Sequence, residues 1–390
     1  MASNVAVATN VFPRESVARV PWYVWASVIA VTSAVIGVEW DISWHRSIGR
    51  DTFWTPAHLA IQLCGVLAGI CCGYLILATT FGGLASLRPA SVQMWGFRGP
   101  LGAFISAWGG VAMITSAPFD NWWHSAYGLD VKILSPPHMV LALGIDTVIV
   151  GALILVAGYL NRAGEDDKPA FQWLFLYLGA CFLTLLMIIV MEYSSRVIMH
   201  SAIFYRTMAI AVPLALVGVG RASGHRWGST IVAGIYSFVL IGMILILPLF
   251  PAEPKLGPVM NKVTQFIPPP FPILLIAPAF LLDLLSRRTE QWSKWLISIA
   301  GGGLFLGGLA AVQWPFANFL MSPWAANRFF ATIYHDYGTP PQAYEVRNLF
   351  FSWEKTPGEF WTSMALALVI AIVMTRLGLA ASDWMRRIRR

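Results

Sequence analysis

Charge is scarce in this chain. Of its 390 residues only 12% are Asp, Glu, Lys or Arg, about half the roughly 25% found in soluble domains. That shortage excludes an ordinary cytosolic enzyme, and the lack of long polar segments excludes a disordered chain. Cysteine is scarce too. Cys64, Cys71, Cys72 and Cys181 all lie inside apolar runs, and no C-x-x-C spacing occurs. They read as small core packers, not as a disulfide framework or a zinc knuckle. The formal charge is +7, yet no module interleaves basic and aromatic residues, so nucleic acid is not an expected partner. No haem or flavin motif is present. The N-terminus lacks the charged-then-apolar order of a cleavable signal peptide. Acidic and aromatic sequence, not small residues, follows its first apolar run (22–38), which is therefore expected to stay as a first span.

What the chain does contain is apolar sequence. Hydrophobic residues make up 57%, and the mean hydropathy is +0.66. A bilayer-crossing helix needs about 20 mostly apolar residues. The pattern predicts an all-α fold, a polytopic integral membrane bundle of about ten transmembrane helices. They fall near 22–39, 57–80, 99–117, 138–159, 171–193, 202–220, 229–250, 270–286, 295–313 and 360–380. Residues 1–220 form a first membrane domain, and 221–390 add further helices and a long loop at 314–359. With ten spans, sixteen Lys and Arg residues lie on the side of the termini and ten on the other. Basic residues favour the cytoplasm. Both termini are thus expected inside, in a bacterial inner membrane, with the loops near 40–56, 118–137, 194–201, 251–269 and 314–359 facing the periplasm.

Two of those outer loops are alike. Residues 39–58 read EWDISWHRSIGRDTFWTPAH, and residues 119–138 read FDNWWHSAYGLDVKILSPPH. Asp41 aligns with Asp120, Trp44 with Trp123, His45 with His124, Gly49 with Gly128 and Asp51 with Asp130. After one inserted residue, Pro56 aligns with Pro136 or Pro137, and His58 with His138. Each copy sits between two apolar spans, as an internal duplication of a helix-loop-helix unit would.

The spacing carries chemistry. Asp41 and His45 are four residues apart, as are Asp120 and His124, which places each pair on one helix face. Each second histidine follows a proline in the first turn of the next span, where proline is tolerated. Each copy can therefore gather Asp, His and His, a ligand set that suits copper, zinc or iron. The blander reading is that Trp residues anchor the interface while Asp and His cap helices or tie loops together. Duplication of the whole set favours the metal reading.

Other polar residues are candidates for the same chamber. Gln62 lies one turn beyond His58 and can orient a ligand. Asp51 and Asp130 can hydrogen-bond a ligand imidazole from behind, or pair with Arg50 or Lys132. Glu192, Arg196 and His200 form a stripe at spacings of four, in which Glu192 and Arg196 can be a plain ion pair and His200 a further ligand or proton carrier. Asp146 reads as a partner for Arg206 or a Trp N–H. Phe53, Trp54, Trp122 and Trp123 can close the site or simply pack at the interface. His225 lies in a polar turn, and His335 in the long outer loop.

The segment 39–58 resembles the metal-binding stretch of the C subunit of particulate methane and ammonia monooxygenases, the copper membrane monooxygenases. In that family an Asp-x3-His-x12-His arrangement binds copper, and Asp41, His45 and His58 keep its spacing. The family's other copper position uses Asn-x3-His-x13-His. Asp120, His124 and His138 keep that spacing, with Asp in place of Asn, and PPHMVLALG resembles the helix that follows. The resemblance covers about 20–160 and stops before about 220. It implies copper as cofactor and a copper-dependent membrane oxygenase, or a subunit of one, oxidising C–H or N–H bonds of a small apolar substrate. It also implies A- and B-type partner subunits and an external electron donor. Methane or ammonia as substrate does not follow. The alternatives are a non-catalytic copper-binding or assembly subunit and a metal- or proton-coupled transporter. Against transport, the repeats run parallel, unlike the usual inverted repeats, and the polar residues gather at one boundary.

Overall fold

A computed structural model describes residues 20–49, 54–128, 135–191, 198–255, 263–269, 274–289, 291–330 and 354–390. Among these residues the chain forms α1 (Trp22–Ser47), α2 (Pro56–Phe81), α3 (Leu101–Tyr127), α4 (Pro136–Leu160) and α5 (Lys168–Ile189). Then come α6 (Ala202–Ala222), α7 (Gly228–Ile246), α8 (Ile276–Arg288), α9 (Lys294–Leu320) and α10 (Pro357–Met385). A short antiparallel hairpin, β1 (Val92–Met94) and β2 (Phe97–Gly99), joins α2 to α3. The protein is a polytopic membrane helical bundle. Nine helices in the described residues are long and apolar enough to cross a bilayer.

The eighth expected span differs. Residues 270–286 were expected to form one spanning helix, but α8 has only 13 residues, about 20 Å at 1.5 Å per residue. The chain still passes from Ile267, held by Ser43 and Ser47 at one end of the bundle, to Arg287, held by the Arg226 carbonyl at the other, so the termini stay on one side. The sequence before it, IPPPFP, supplies few backbone N–H donors, and each proline disfavours helix in the residue ahead of it. At the other extreme α9 runs on to Leu320 through Pro315, seven residues into the expected outer loop. Most of the rest of that loop, including His335, lies outside the described residues.

One continuous core runs from Tyr23 of α1 to Leu379 of α10. All four cysteines are buried in it as free thiols. Lipid tails are as apolar as leucine, so helices in a bilayer associate through close packing and internal hydrogen bonds. The α3–α4 seam illustrates this. A Cβ on Gly109 would stand 2.7 Å from the Gly144 carbonyl oxygen, so no larger residue fits. Beside it Ser106 Oγ donates to the Val148 carbonyl at 3.1 Å. This seam, with α2 packed on α3, fixes how the two repeated units stand against each other.

Candidate metal centre

Local sequence explains how each repeat presents its ligands. α1 continues beyond its apolar run, through Asp41 and His45, before Gly49 turns the chain at φ 84°. α2 then starts at Pro56, and Thr55 accepts the backbone N–H of His58 at 3.2 Å. In the second repeat α3 runs through Pro118 to Tyr127, and Gly128 turns the chain at φ 89°. α4 starts at Pro136, with Ser135 at the cap position. The two glycines aligned in the sequence thus both take left-handed φ, a conformation that side chains resist. The duplication is structural as well as sequential.

The ligand sets converge. His45 Nε2 lies 3.5 Å from Asp41 Oδ2, and His58 Nε2 lies 3.2 Å from Asp41 Oδ1. In the second set His124 Nε2 is 3.3 Å from Asp120 Oδ2, and His138 Nε2 is 3.4 Å from Asp120 Oδ1. Each carboxylate therefore lies between two imidazoles, one oxygen toward each. Within each triad the three donor atoms lie within 4.8 Å of one another.

These distances suit an ion. Two donors each about 2.0–2.1 Å from one metal stand about 2.8–3.4 Å apart when they subtend a right or tetrahedral angle. The four carboxylate–imidazole contacts, from 3.2 to 3.5 Å, lie at and just beyond the upper edge of that range. Asp41 Oδ1 and Asp120 Oδ1 are also cut off from solvent, and each has only the second imidazole of its own triad beside it. Buried carboxylate oxygens need a positive or donating partner, and a cation at the focus of each triad would supply one, as would a proton on the neighbouring imidazole. Three protein ligands per set would leave coordination positions open.

Both triads border one cavity of about 50 Å³, lined by Asp41 and His58 from the first and Asp120 and His138 from the second. Since a water needs about 10–15 Å³ of such space, it admits roughly three to five water-sized molecules. Ile61, Ala117 and Leu141 give it an apolar wall, and Gln62 and Ser116 add polar groups.

Gln62 is thus where its spacing puts it, on the wall of the same cavity as His58. His200 is not with the triads. It is buried against α9, with Nε2 2.8 Å from Asn318 Oδ1 and its ring edge-on to Trp314. Asp146 does not pair with Arg206, whose guanidinium approaches Ser363 instead. Trp54 and Trp122 are 72% and 55% exposed and line no part of the cavity. His225 Nδ1 accepts the backbone N–H of Trp227 in its turn. Arg50, Asp51, Phe53, Asp130, Lys132, Glu192 and Arg196 lie outside the described residues.

Two residues were not singled out by the sequence. Ser116 stands one turn before Asp120, as Gln62 stands one turn after His58, so helical spacing could have found it. Glu39 is fully buried, and neither of its oxygens has a hydrogen-bond partner. Its proximity to Asp41 in the sequence was the available signal. Comparison with known protein families, curated proteins and solved structures finds no match to this chain.

Proposed function

We propose that this chain is a copper-dependent membrane oxygenase, or the metal-holding subunit of one, distantly related to the C subunit of the copper membrane monooxygenases. The observation that carries this reading is the pair of Asp-His-His triads bordering one small, partly apolar cavity. Copper, when bound there, supplies the one-electron chemistry that couples dioxygen to oxidation of a C–H or N–H bond. Zinc and iron are the other metals that such donors hold.

The chain's own residues do the rest. His45, His58, His124 and His138 hold the metal through Nε2, and Asp41 and Asp120 offset part of its charge. Ile61, Ala117 and Leu141 exclude bulk water and receive an apolar molecule. Gln62 and Ser116 hydrogen-bond the product's new polar group. The cavity's size restricts the substrate to a few heavy atoms. Electrons come from an external donor, and further subunits of the monooxygenase type complete the assembly. The triads face the periplasm of a bacterial inner membrane, with both termini in the cytoplasm.

The test is turnover in membranes given a quinol-type donor, dioxygen and a short alkane. The expected result is an alcohol product that disappears in Asp41→Ala or Asp120→Ala. Copper retained by the triads without any oxidation identifies the non-catalytic subunit instead. Copper flux across proteoliposomes would make the chain a transporter.

A further inference from the structure

A second cavity, also of about 50 Å³, lies at the end of the bundle away from the triads, where α6, α7, α8, α9 and α10 meet. Arg221, His225 and Thr375 contribute to its polar wall, and Leu282, Leu285 and Leu379 to its apolar one. Arg221 Nε is buried and has no acceptor. Thr375 is 1% exposed, and its hydroxyl has no partner. Because His225 Nδ1 accepts the Trp227 N–H at 3.1 Å, the neutral ring carries its proton on Nε2. Guanidinium, hydroxyl and imidazole N–H donors therefore border one small space.

The acids nearby are already engaged. Asp283 is the carboxylate on the cavity wall. Its oxygens accept the backbone N–H groups of Ser229 and Thr230, at 3.1 and 2.8 Å, and the Thr230 hydroxyl at 2.7 Å. That carboxylate is thus turned into the start of α7. Asp383 is paired with Lys294.

Positive charge, in contrast, accumulates. Arg386 donates through Nε and Nη2 to the Arg221 carbonyl, which brings two guanidinium-bearing residues together. Burial first, and then the charge of Arg221, hold the Arg386 guanidinium below its ordinary pKa. Arg287 donates to the Arg226 carbonyl and lies over the Trp227 ring, 3.2 Å from its centroid. Among the described residues none of these four arginines pairs with a carboxylate within 4.0 Å. Asp383 acts electrostatically on Arg221 and Arg386, and Asp283 on Arg287, but neither closes an ion pair with them, and the buried Arg221 Nε keeps an open donor that suits an anion. A tetrahedral oxyanion matches the fork geometry of a guanidinium.

We infer that this cavity binds a phosphate group, carried by an anionic phospholipid, with Arg221 as its principal contact and Thr375 and His225 as further donors. Basic pockets between membrane helices are suited to such headgroups. The site is remote from the triads and does not depend on their chemistry.

The experiment uses the full chain in mild detergent, with native mass spectrometry and thermal melting as readouts. The probes are dioleoylphosphatidylglycerol, dioleoylphosphatidylcholine and sodium phosphate. The glycerol lipid is expected to remain bound and raise the melting temperature more than the choline lipid does. Arg221→Gln is expected to weaken its binding about tenfold, the usual size for a lost charged hydrogen bond. Arg98→Gln, at the same end but away from the cavity, leaves binding unchanged. If sodium phosphate alone reproduces the stabilisation and loses it in Arg221→Gln, the site holds and its source is free phosphate. Equal retention of the two lipids with no effect of phosphate overturns the inference, as does wild-type binding by Arg221→Gln. Should that variant fail to fold, Thr375→Val removes only a hydroxyl. It is expected to weaken binding about threefold, and unchanged binding would again overturn the site.

Discussion

The two repeats carry the same ligands but are held in different ways. The end of α1 is pinned to the segment after α7. Ser43 Oγ donates to the Ile267 carbonyl, and Ser47 Oγ accepts the Ile267 N–H, both at 2.7 Å. Arg46 donates to the Pro268 carbonyl, the Ile48 carbonyl accepts the Lys255 N–H, and Trp44 packs on Phe266. Among the described residues the end of α3 shows no comparable brace to the rest of the bundle: its link to another helix there is the triad contact of Asp120 with His138 of α4. Phe119, Trp122, Trp123 and Tyr127 stack on one another instead. Trp122 and Tyr127 stay 55% and 67% exposed, as aromatics at a bilayer boundary or a subunit contact do. Triad geometry therefore follows from local sequence, namely helical spacing, a turn glycine and a proline start. The brace on the first copy is an added tertiary feature.

Metal removal should produce the largest effect and act on both copies. At a free metal concentration about a thousand times Kd, each occupied site adds about 4 kcal/mol of stability. Chelation should lower the melting temperature accordingly, and an unchanged melt would mean that no ion links the helices. Gly109→Leu comes next. Its side chain must displace α4, at a cost of about 3 kcal/mol, and it should disturb the Asp120 set more than the Asp41 set. Thermal melting and metal counting on the variant check both parts, and wild-type values would refute the close α3–α4 contact.

Smaller changes sharpen the contrast between copies. Ser47→Ala leaves the buried Ile267 N–H without its acceptor, at a cost of about 1–3 kcal/mol. It should weaken metal binding at the first triad alone. Ser125→Ala, on the unbraced copy, bonds only within its own helix and should change little. Equal losses in the two variants would erase the difference. The smallest effect is at the caps. Thr55→Val should cost about 1 kcal/mol, whereas Ser135→Ala, with no cap bond to lose, should stay within about 0.5 kcal/mol. Chemical denaturation in mixed micelles measures both.

Much of this arrangement was legible because it rests on short-range rules. Runs of about twenty apolar residues marked the spans, and i,i+4 spacing together with proline placed Asp41, His45, His58 and their counterparts. What escaped depends on long-range packing. Nothing in the sequence near His200 says that Asn318 will take its Nε2, more than a hundred residues away. The shared cavity was equally hidden, because it requires α2 to lie on α3 and α3 on α4. The short α8 could have been read from IPPPFP, but hydropathy alone counts the apolar residues around those prolines as a span. The brace at Ile267 pairs residues over two hundred positions apart and has no local signal.

Counting metal per chain tests the central claim most directly. The full-length protein, loaded with copper, desalted and analysed by elemental mass spectrometry, should carry two equivalents. His58→Ala and His138→Ala should each carry one, and the double variant none. A wild-type chain with less than one equivalent, or a double variant that keeps its copper, would contradict the account.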